Sequence, residues 1–212
     1  MSSLDEPCYQ TYLGDLLAGH RAPCVALVQR LLAESIGLRD LYLNLYQRSL
    51  YDVGDLWERN QISVAVEHLA TSITEGLLNL SYPQLFAAPR RGRRAVVSCV
   101  VNEYHQLGAK MVADLMELHG WDTDFLGANT PHDALIDLLH HRHPDVLALS
   151  MSIYFNLPAL LELLLKIRLV FPELPIWVGG QAFRHGGREA VGNFPHVSCI
   201  TSLDDLERRL TT

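Results

Sequence analysis

The feature that most constrains the fold is a change of hydrophobic period that occurs close to residue 90. In residues 95–212, short β-branched apolar runs alternate with stretches of helical period, which is typical of parallel strands joined by crossover helices. The predicted strands are 95–101, 122–126, 146–150, 176–178 and 197–200, and the intervening helices begin near Gln106, Pro131, Leu157, Gln181 and Ser202. This order predicts an α/β domain with a doubly wound, five-stranded parallel sheet of the flavodoxin or Rossmann-like kind.

Residues 1–85 show helical periodicity with almost no strand pattern, and they predict an amino-terminal four-helix bundle. The third of these helices runs from about Gly37 to Trp57, and Ser63 is a suitable N-cap for the fourth. Residues 86–94, rich in Pro, Ala and Arg, are predicted to form a linker between the bundle and the sheet domain of residues 95–212.

Charge limits the classes of partner. The formal net charge is −7, from 17 Lys and Arg against 24 Asp and Glu. Nonspecific affinity for nucleic acid comes largely from Lys and Arg, so direct DNA binding is not expected. The single basic cluster lies in the predicted linker, and we interpret it as solvated: Arg90, Arg91, Arg93 and Arg94.

Three further patterns indicate a cytoplasmic protein in a reducing compartment. Residues 1–6 are polar and acidic, unlike the start of a signal peptide. The longest apolar run, 157–165, is too short to span a bilayer. The four cysteines form no C-x-x-C pair, and Cys99 and Cys199 lie in apolar runs that predict buried core positions.

The first candidate functional residues follow the first predicted strand. The order is Glu103, His105 and Gly108. Open α/β sheets bind their ligands at the carboxyl edge of the strands, where this segment is expected to lie. A carboxylate near a histidine is also the arrangement that orients a metal-bound imidazole through its second ring nitrogen. Gly108 is expected to let the following helix approach the sheet closely.

Two more polar segments are predicted to reach the same edge. Ser150 and Ser152 end the third strand, and their hydroxyl groups offer both donors and acceptors. Gly179 and Gly180 end the fourth strand, where a missing side chain lets backbone lie against a ligand. Each segment alone is weak evidence for a binding site, but their joint register on successive strands favours one shared site.

Together these residues resemble the cobalamin-binding fold, whose signature is D-x-H-x-x-G, then S-x-L or S-x-T, then G-G. The resemblance implies that His105 is the lower axial ligand of cobalt and that Glu103, in place of Asp, orients it. It further implies that Ser150 contacts the displaced nucleotide base and that Gly179 and Gly180 leave room for the nucleotide tail. Cobalamin is therefore the expected cofactor.

The helical half resembles the cap of cobalamin photoreceptors, which include CarH-type light-dependent repressors and AerR-type antirepressors. Those families share a Trp followed ten positions later by Glu-His, and here the residues are Trp57, Glu67 and His68. The resemblance implies that these three residues contact the upper ligand, expected to be the adenosyl group of adenosylcobalamin. In the light-dependent repressors a His next to the Trp binds cobalt after illumination, whereas here that position is Glu58.

The resulting hypothesis is a light sensor in which loss of the adenosyl group moves the helical cap and alters protein–protein contacts. It implies no catalytic residues, a regulator or effector protein as partner, and a homo-oligomer as one possible state. Two alternatives stay open at this point. One is a corrinoid carrier for methyl transfer, and the other is a flavodoxin-like response domain without a cofactor, which would need more acidic residues after the first strand.

Two minor expectations concern aromatic and histidine residues. Some relatives of this kind are implicated in binding biliverdin or another bilin beside the cobalamin, and here such a chromophore would be lined by Tyr154, Phe155 and Phe183. The histidines on or just after the second helix of the sheet domain are interpreted as surface residues: His132, His140, His141 and His143.

Overall fold

The computed structural model describes residues 4–184 and 186–211. The chain divides into two compact units, with the boundary between Gln84 and Leu85. We call them the helical unit and the sheet unit. The outermost residues of the predicted domains, residue 1 and residue 212, lie outside the described ranges.

The helical unit consists of amphipathic helices, as the sequence predicts. Its α-helices, up to and across the unit boundary, are α1 (Glu6–Leu17), α2 (Arg21–Ala33), α3 (Leu38–Asp40), α4 (Arg48–Glu58), α5 (Val64–Leu78) and α6 (Tyr82–Leu85). A 3₁₀ turn, Asn79–Ser81, joins the last two. Helix α5 packs against α1, α2 and α4. The predicted cap is confirmed, since the Ser63 hydroxyl accepts a hydrogen bond from the Val66 amide at 3.4 Å.

The third predicted helix is less regular than its hydrophobic spacing indicates. Helices α3 and α4 are joined by a π-helical segment, Leu41–Gln47, and the residues at both junctions keep right-handed helical backbone angles. The chain therefore runs as one helical rod from Leu38 to Glu58. A π turn adds a residue without changing which side chains are apolar, so hydrophobic periodicity alone does not detect it.

The sheet unit confirms the predicted α/β architecture. Its strands are β1 (Arg94–Cys99), β2 (Asp122–Phe125), β3 (Val146–Ser150), β4 (Ile176–Gly179) and β5 (Val197–Cys199). They are all parallel and follow the order β2-β1-β3-β4-β5. This flavodoxin-like order reverses direction between β1 and β3, and the loops that leave those two strands diverge to form the ligand crevice of such folds.

Helices cover both faces of the sheet. They are α7 (Leu107–Leu118), α8 (His132–Arg142), α9 (Leu157–Val170), α10 (Arg188–Gly192) and α11 (Leu203–Thr211). The main core joins β1, β3 and β4 to α8, α9 and α10 through buried residues such as Val96, Leu147, Val178, Leu139 and Leu164. No helix within the described ranges is long and apolar enough to cross a membrane.

Several predicted local details of the sheet unit are wrong. Strand β1 ends at Cys99, two residues earlier than predicted, because Asn102 adopts a left-handed conformation with φ of 65° and the chain turns there. The segment from Gln181 is a 3₁₀ turn, Gln181–Arg184, and the regular helix α10 follows only at Arg188. Cys99 is buried as predicted, but Cys199 is only partly buried.

The predicted linker arginines are only partly solvated. Arg90 forms an ion pair with Glu117 and donates to the Trp121 carbonyl at 2.6 Å. Arg91 donates to the Leu210 carbonyl at 3.0 Å. These bonds attach the segment before β1 to α7 and α11, so it is an ordered part of the sheet unit.

Candidate functional site

Glu103 and His105 lie in the loop that leaves β1 at the switch point of the sheet. The His105 Nδ1 atom lies 2.6 Å from Glu103 Oε1, and the His105 backbone amide donates to the same oxygen at 3.0 Å. Glu103 is fully buried, whereas the His105 side chain is 60% exposed. Since Nδ1 contacts the carboxylate, Nε2 is the ring nitrogen that would act as a ligand atom.

The second oxygen of Glu103 is held by the loop that leaves β3. Glu103 Oε2 accepts hydrogen bonds from the backbone amides of Ser152 and Ile153, at 2.8 and 2.9 Å, and from Asn156 Nδ2 at 3.2 Å. Burial alone would raise the pKa of Glu103, but the hydrogen bonds from His105, Ile153 and Ser152 outweigh it and lower the pKa to about 2. The buried carboxylate therefore stays ionised and links the β1 and β3 loops.

Asn156 is a site residue that the sequence reasoning missed. It occupies the N-cap of α9, where an asparagine side chain usually accepts a hydrogen bond from the first turn of the helix. Here the side chain makes no cap hydrogen bond and instead donates to Glu103 and to the Asn102 carbonyl, the latter at 3.3 Å. Nothing in the local sequence distinguishes this use from ordinary capping.

Ser152 acts through its backbone, whereas the sequence reasoning considered its hydroxyl group. Ser150 lies at the end of β3 in register with Cys99 of β1 and Gly179 of β4. The Ser150, Ser152 and Gly179 positions therefore share the carboxyl edge with Glu103, as expected. The structure brings these four predicted positions to the same edge of the sheet.

Gly180 is required by its surroundings. It adopts φ of +115°, and a Cβ atom placed on it would lie 2.3 Å from the Met151 carbonyl oxygen. The preceding Gly179 accepts a hydrogen bond from the Met151 amide at 2.9 Å, so the β3 and β4 ends lie backbone to backbone. At Gly180 the missing side chain thus makes room for the neighbouring backbone of Met151, whereas the expected contact of the pair with a ligand stays a prediction.

The expected role of Gly108 in helix–sheet packing is wrong. No atom lies within 4 Å of a Cβ built on Gly108, and the residue is exposed near the start of α7. Its surroundings would accommodate a side chain. Gly108 follows His105 by three residues, and the space beside it is open to a bulky group.

The thiol nearest to this loop is not a competing metal ligand. Cys99 Sγ lies 3.9 Å from the His105 carbonyl oxygen, and burial together with the negative charge of Glu103 raises the pKa of the Cys99 thiol to about 12. Metals bind the thiolate form, which is scarce at neutral pH for such a group. His105 is therefore the better ligand in this loop.

The helical unit contains a second glutamate–histidine pair. His68 Nδ1 lies 2.6 Å from Glu67 Oε2, and the Thr71 hydroxyl donates to Glu67 Oε1 at 3.0 Å. Trp57 lies near the end of α4, on the other side of the turn that leads to α5, and is 47% exposed. Trp57 is therefore not a core residue of the helical unit.

The three aromatic residues considered for a second chromophore differ in exposure. Phe155 is 92% exposed and Tyr154 is 46% exposed, and both lie in the β3 loop beside Ile153. Phe183 is buried in the core under α10 and presents almost no surface. A role for Phe183 in lining a chromophore site is therefore contradicted.

His132 also departs from its predicted surface position. Its side chain is nine-tenths buried, its Nδ1 atom lies 3.7 Å from Glu162 Oε1, and its Nε2 atom has no hydrogen-bond partner among the described residues. Burial lowers the pKa of His132, and the nearby Lys166 lowers it further. His140, His141 and His143 are exposed as predicted.

Similar proteins share this architecture. Two family models described as B12 binding domain match residues 93–200 and residues 9–80. The HTH-type transcriptional repressor CarH of Myxococcus xanthus is 32% identical over 161 residues, which cover 75% of this chain and 52% of that protein. The HTH-type transcriptional repressor CarA of the same organism is 36% identical over 90 residues, which cover 42% of this chain and 31% of that protein. The chain thus spans about half and about a third of these two relatives.

Solved structures show the same fold at low sequence identity. The monomethylamine corrinoid protein of Methanosarcina barkeri superposes with a TM-score of 0.83 at 12% identity, covering 98% of this chain and 99% of that chain. A chain of the methanol:cobalamin methyltransferase complex MtaBC from Methanosarcina barkeri gives a TM-score of 0.52 at 14% identity, covering 99% and 82%. Because one B12 binding domain model alone covers half of the chain, we conclude that this protein belongs to the B12 binding domain family.

Proposed function

We propose that the protein is a cobalamin-dependent light sensor with His105 as the lower axial ligand of cobalt. The residues fit this cofactor, since His105 is exposed with its Nδ1 held by a buried carboxylate and open space lies beside Gly108. Ser150, Ser152, Gly179 and Gly180 share that edge and would accept the nucleotide tail. Adenosylcobalamin supplies a cobalt–carbon bond that light cleaves, which is the input of the proposed sensor.

The observation that carries the sensory proposal is the exposed Trp57 on the helical unit. A large apolar ring that is half exposed costs free energy in water and is suited to packing on a bulky ligand. Glu67 and His68 follow on α5 and offer hydrogen-bonding groups for the ribose and adenine of an adenosyl group. Loss of that group would take away the packing partner of Trp57, so the helical unit could move and its contacts with a regulator protein or a second copy would change.

Three finer features belong to the same proposal. The chain acts through protein contacts and not as an enzyme. Glu58 occupies the position next to Trp57, so after illumination the upper face of cobalt would be taken by His68, another histidine or water. A bilin beside the cobalamin would contact Tyr154 and Phe155, which are exposed in the β3 loop.

The second candidate is a corrinoid carrier for methyl transfer. It is favoured by the match of both units, along nearly the whole chain, to a corrinoid protein. This function would use Glu103 and His105 in the same way, but it gives no reason for an exposed Trp57 followed by the Glu67–His68 pair. The exposed Trp57 and the Glu67–His68 pair are therefore what supports the sensor over the carrier.

The test is illumination of the purified full chain loaded with adenosylcobalamin in the dark. The sensor proposal expects an imidazole-ligated spectrum that changes under green light, with a matching change in gel-filtration volume or small-angle scattering. Trp57→Ala is expected to retain the cofactor and its photolysis but to lose most of the change in size. A wild-type protein whose size does not respond to light while its spectrum does would favour the carrier.

A further inference from the structure

The loop that carries Glu103 and His105 is held from the side of β2 as well as from the side of β3. Asn129, in the loop between β2 and α8, makes two of these contacts. Its Oδ1 atom accepts a hydrogen bond from the Asn102 amide at 2.8 Å, and its own amide donates to the Glu103 carbonyl at 3.0 Å. Asn129 thus binds the backbone of both Asn102 and Glu103, the residue whose carboxylate orients His105.

Gln106 makes the reciprocal contact. Its Oε1 atom accepts a hydrogen bond from the Ala128 amide at 3.1 Å, so each loop receives a side-chain amide from the other. Gly127, the neighbouring residue, adopts φ of +78°, and a Cβ atom on it would lie 2.8 Å from Gln106 Oε1. The Gly127 carbonyl also accepts from the Cys99 amide at 3.0 Å. A side chain at position 127 would therefore displace the Gln106 amide group, and the left-handed backbone there also favours glycine.

Gln106 and Asn129 both occupy positions where a side-chain amide commonly stabilises its own segment. Gln106 is the N-cap residue of α7 but makes no side-chain cap hydrogen bond. Asn129 and Asn102 both have left-handed backbone conformations, with φ of 51° and 65°. Non-glycine residues hold this conformation only where the surrounding contacts favour it. Both left-handed residues lie where the two loops exchange hydrogen bonds, and these bonds offset the free-energy cost of that backbone conformation. The same bonds hold residues 102–106 on both sides of His105.

We propose that Asn129 and Gln106 form an amide clamp that positions His105 for axial ligation of cobalt. This inference rests on the proposed role of His105 as lower ligand. Glu103 fixes the orientation of the imidazole ring, while the clamp fixes the backbone from which the ring projects. Without the clamp, ligation must also order residues 102–106, so a larger fraction of bound cofactor remains without imidazole.

The test compares Asn129→Gly with Asn129→Asp in the full chain. Glycine tolerates the left-handed backbone but lacks the oxygen that accepts from Asn102, whereas aspartate retains that oxygen. With saturating adenosylcobalamin in the dark, the visible spectrum reports the ratio of imidazole-ligated to unligated cofactor. We expect this ratio to fall about fivefold in Asn129→Gly, the effect of one lost hydrogen bond, and to stay near the wild-type value in Asn129→Asp.

A matched control is Asn60→Gly, which makes the same substitution at another left-handed asparagine, with φ of 56°, in the helical unit. Its ligation ratio is expected to equal that of the wild type. Gln106→Leu tests the other half of the clamp and keeps the proposal falsifiable if Asn129→Gly does not fold. It is expected to lower the ratio by a similar factor while total cofactor binding persists.

Two outcomes overturn the clamp. The first is an unchanged ligation ratio in Asn129→Gly or, if that variant does not fold, in Gln106→Leu. The second is an equal loss in Asn129→Gly and Asn129→Asp, which would reduce Asn129 to a purely structural residue. His105→Ala separates this failure from that of the proposed function, because a ligated spectrum that survives in His105→Ala would overturn the axial assignment together with the clamp.

Discussion

The molecule contains two glutamate–histidine pairs with the same short contact and different support. In both pairs the histidine Nδ1 atom lies 2.6 Å from a carboxylate oxygen, and both imidazoles are more than half exposed. Glu103 is fully buried and accepts hydrogen bonds from the β1 and β3 loops. Glu67 is partly exposed, and its side-chain hydrogen bonds go to His68 and Thr71, one and four residues along the same helix.

This difference in support predicts a difference in behaviour. The Glu103–His105 pair cannot rearrange unless two loops of the sheet unit separate. The Glu67–His68 pair forms within α5, so it keeps its geometry wherever that helix moves. The Glu103–His105 pair, held by two loops, is suited to a permanent metal ligand. The Glu67–His68 pair, formed within one helix, is suited to a unit that moves. The following predictions test this contrast.

The largest expected effect on stability is that of Glu103→Leu. This variant leaves the backbone amides of His105, Ser152 and Ile153 without their carboxylate acceptor. It also removes one of the two acceptors of the Asn156 side chain. We expect it to lower the free energy of unfolding by about 3 to 5 kcal/mol, as for other buried charged groups whose partners are left unpaired. Urea denaturation monitored by circular dichroism measures this, and a loss below about 1 kcal/mol would contradict the structural role of Glu103.

The next expected effect is on cofactor binding. His105→Ala should lose imidazole ligation and weaken cobalamin binding by about tenfold or more, because the proposed metal ligand is removed. The fold should stay intact, because the ring is exposed. His68→Ala should leave the dark ligation spectrum unchanged. Titration of each variant with adenosylcobalamin in the dark, followed by absorbance, compares the two. Equal losses of ligation would remove the distinction between the pairs.

Glu67→Leu is expected to have a much smaller effect on stability than Glu103→Leu. The contacts of Glu67 are local to α5 and open to solvent, so the free energy of unfolding should fall by about 0.5 to 1 kcal/mol. The same urea titration serves for both variants. If the two losses were equal, solvent exposure would not be what distinguishes the pairs.

The smallest expected effect concerns His132, whose Nδ1 atom lies 3.7 Å from Glu162 Oε1, farther than the 2.6 Å contacts of the two pairs. Burial lowers its pKa below the usual 6.5, so at mildly acidic pH the unfolded chain takes up a proton that the folded chain does not. The contribution of His132 to stability is therefore present above pH 6.5 and is lost as the pH falls below that value. His132→Leu should show a smaller loss of stability between about pH 7.5 and 5.5 than the wild type. An equal loss in both proteins would assign the acid sensitivity to other groups.

Much of the architecture follows from the sequence for a simple reason. Apolar residues repeat with the period of the element that buries them, so the five strands and the main helices could be located before their packing was known. The positions of Glu103 and His105 after β1 could be predicted in the same way, since the carboxyl ends of parallel strands share one edge. The same reasoning placed Ser150 and Gly179 at that edge.

The tertiary structure decided which atoms act at that edge. The sequence directed attention to the Ser152 hydroxyl, but the Ser152 amide binds Glu103, because the β3 loop turns its backbone toward the carboxylate. It suggested close packing at Gly108, yet the close backbone contact is found at Gly180 instead. Asn156 and Asn129 carry no sequence signal, because a capping or turn asparagine looks the same whichever partner its amide meets. Residue types and periods are local properties, whereas hydrogen bonds between distant loops depend on how the chain packs.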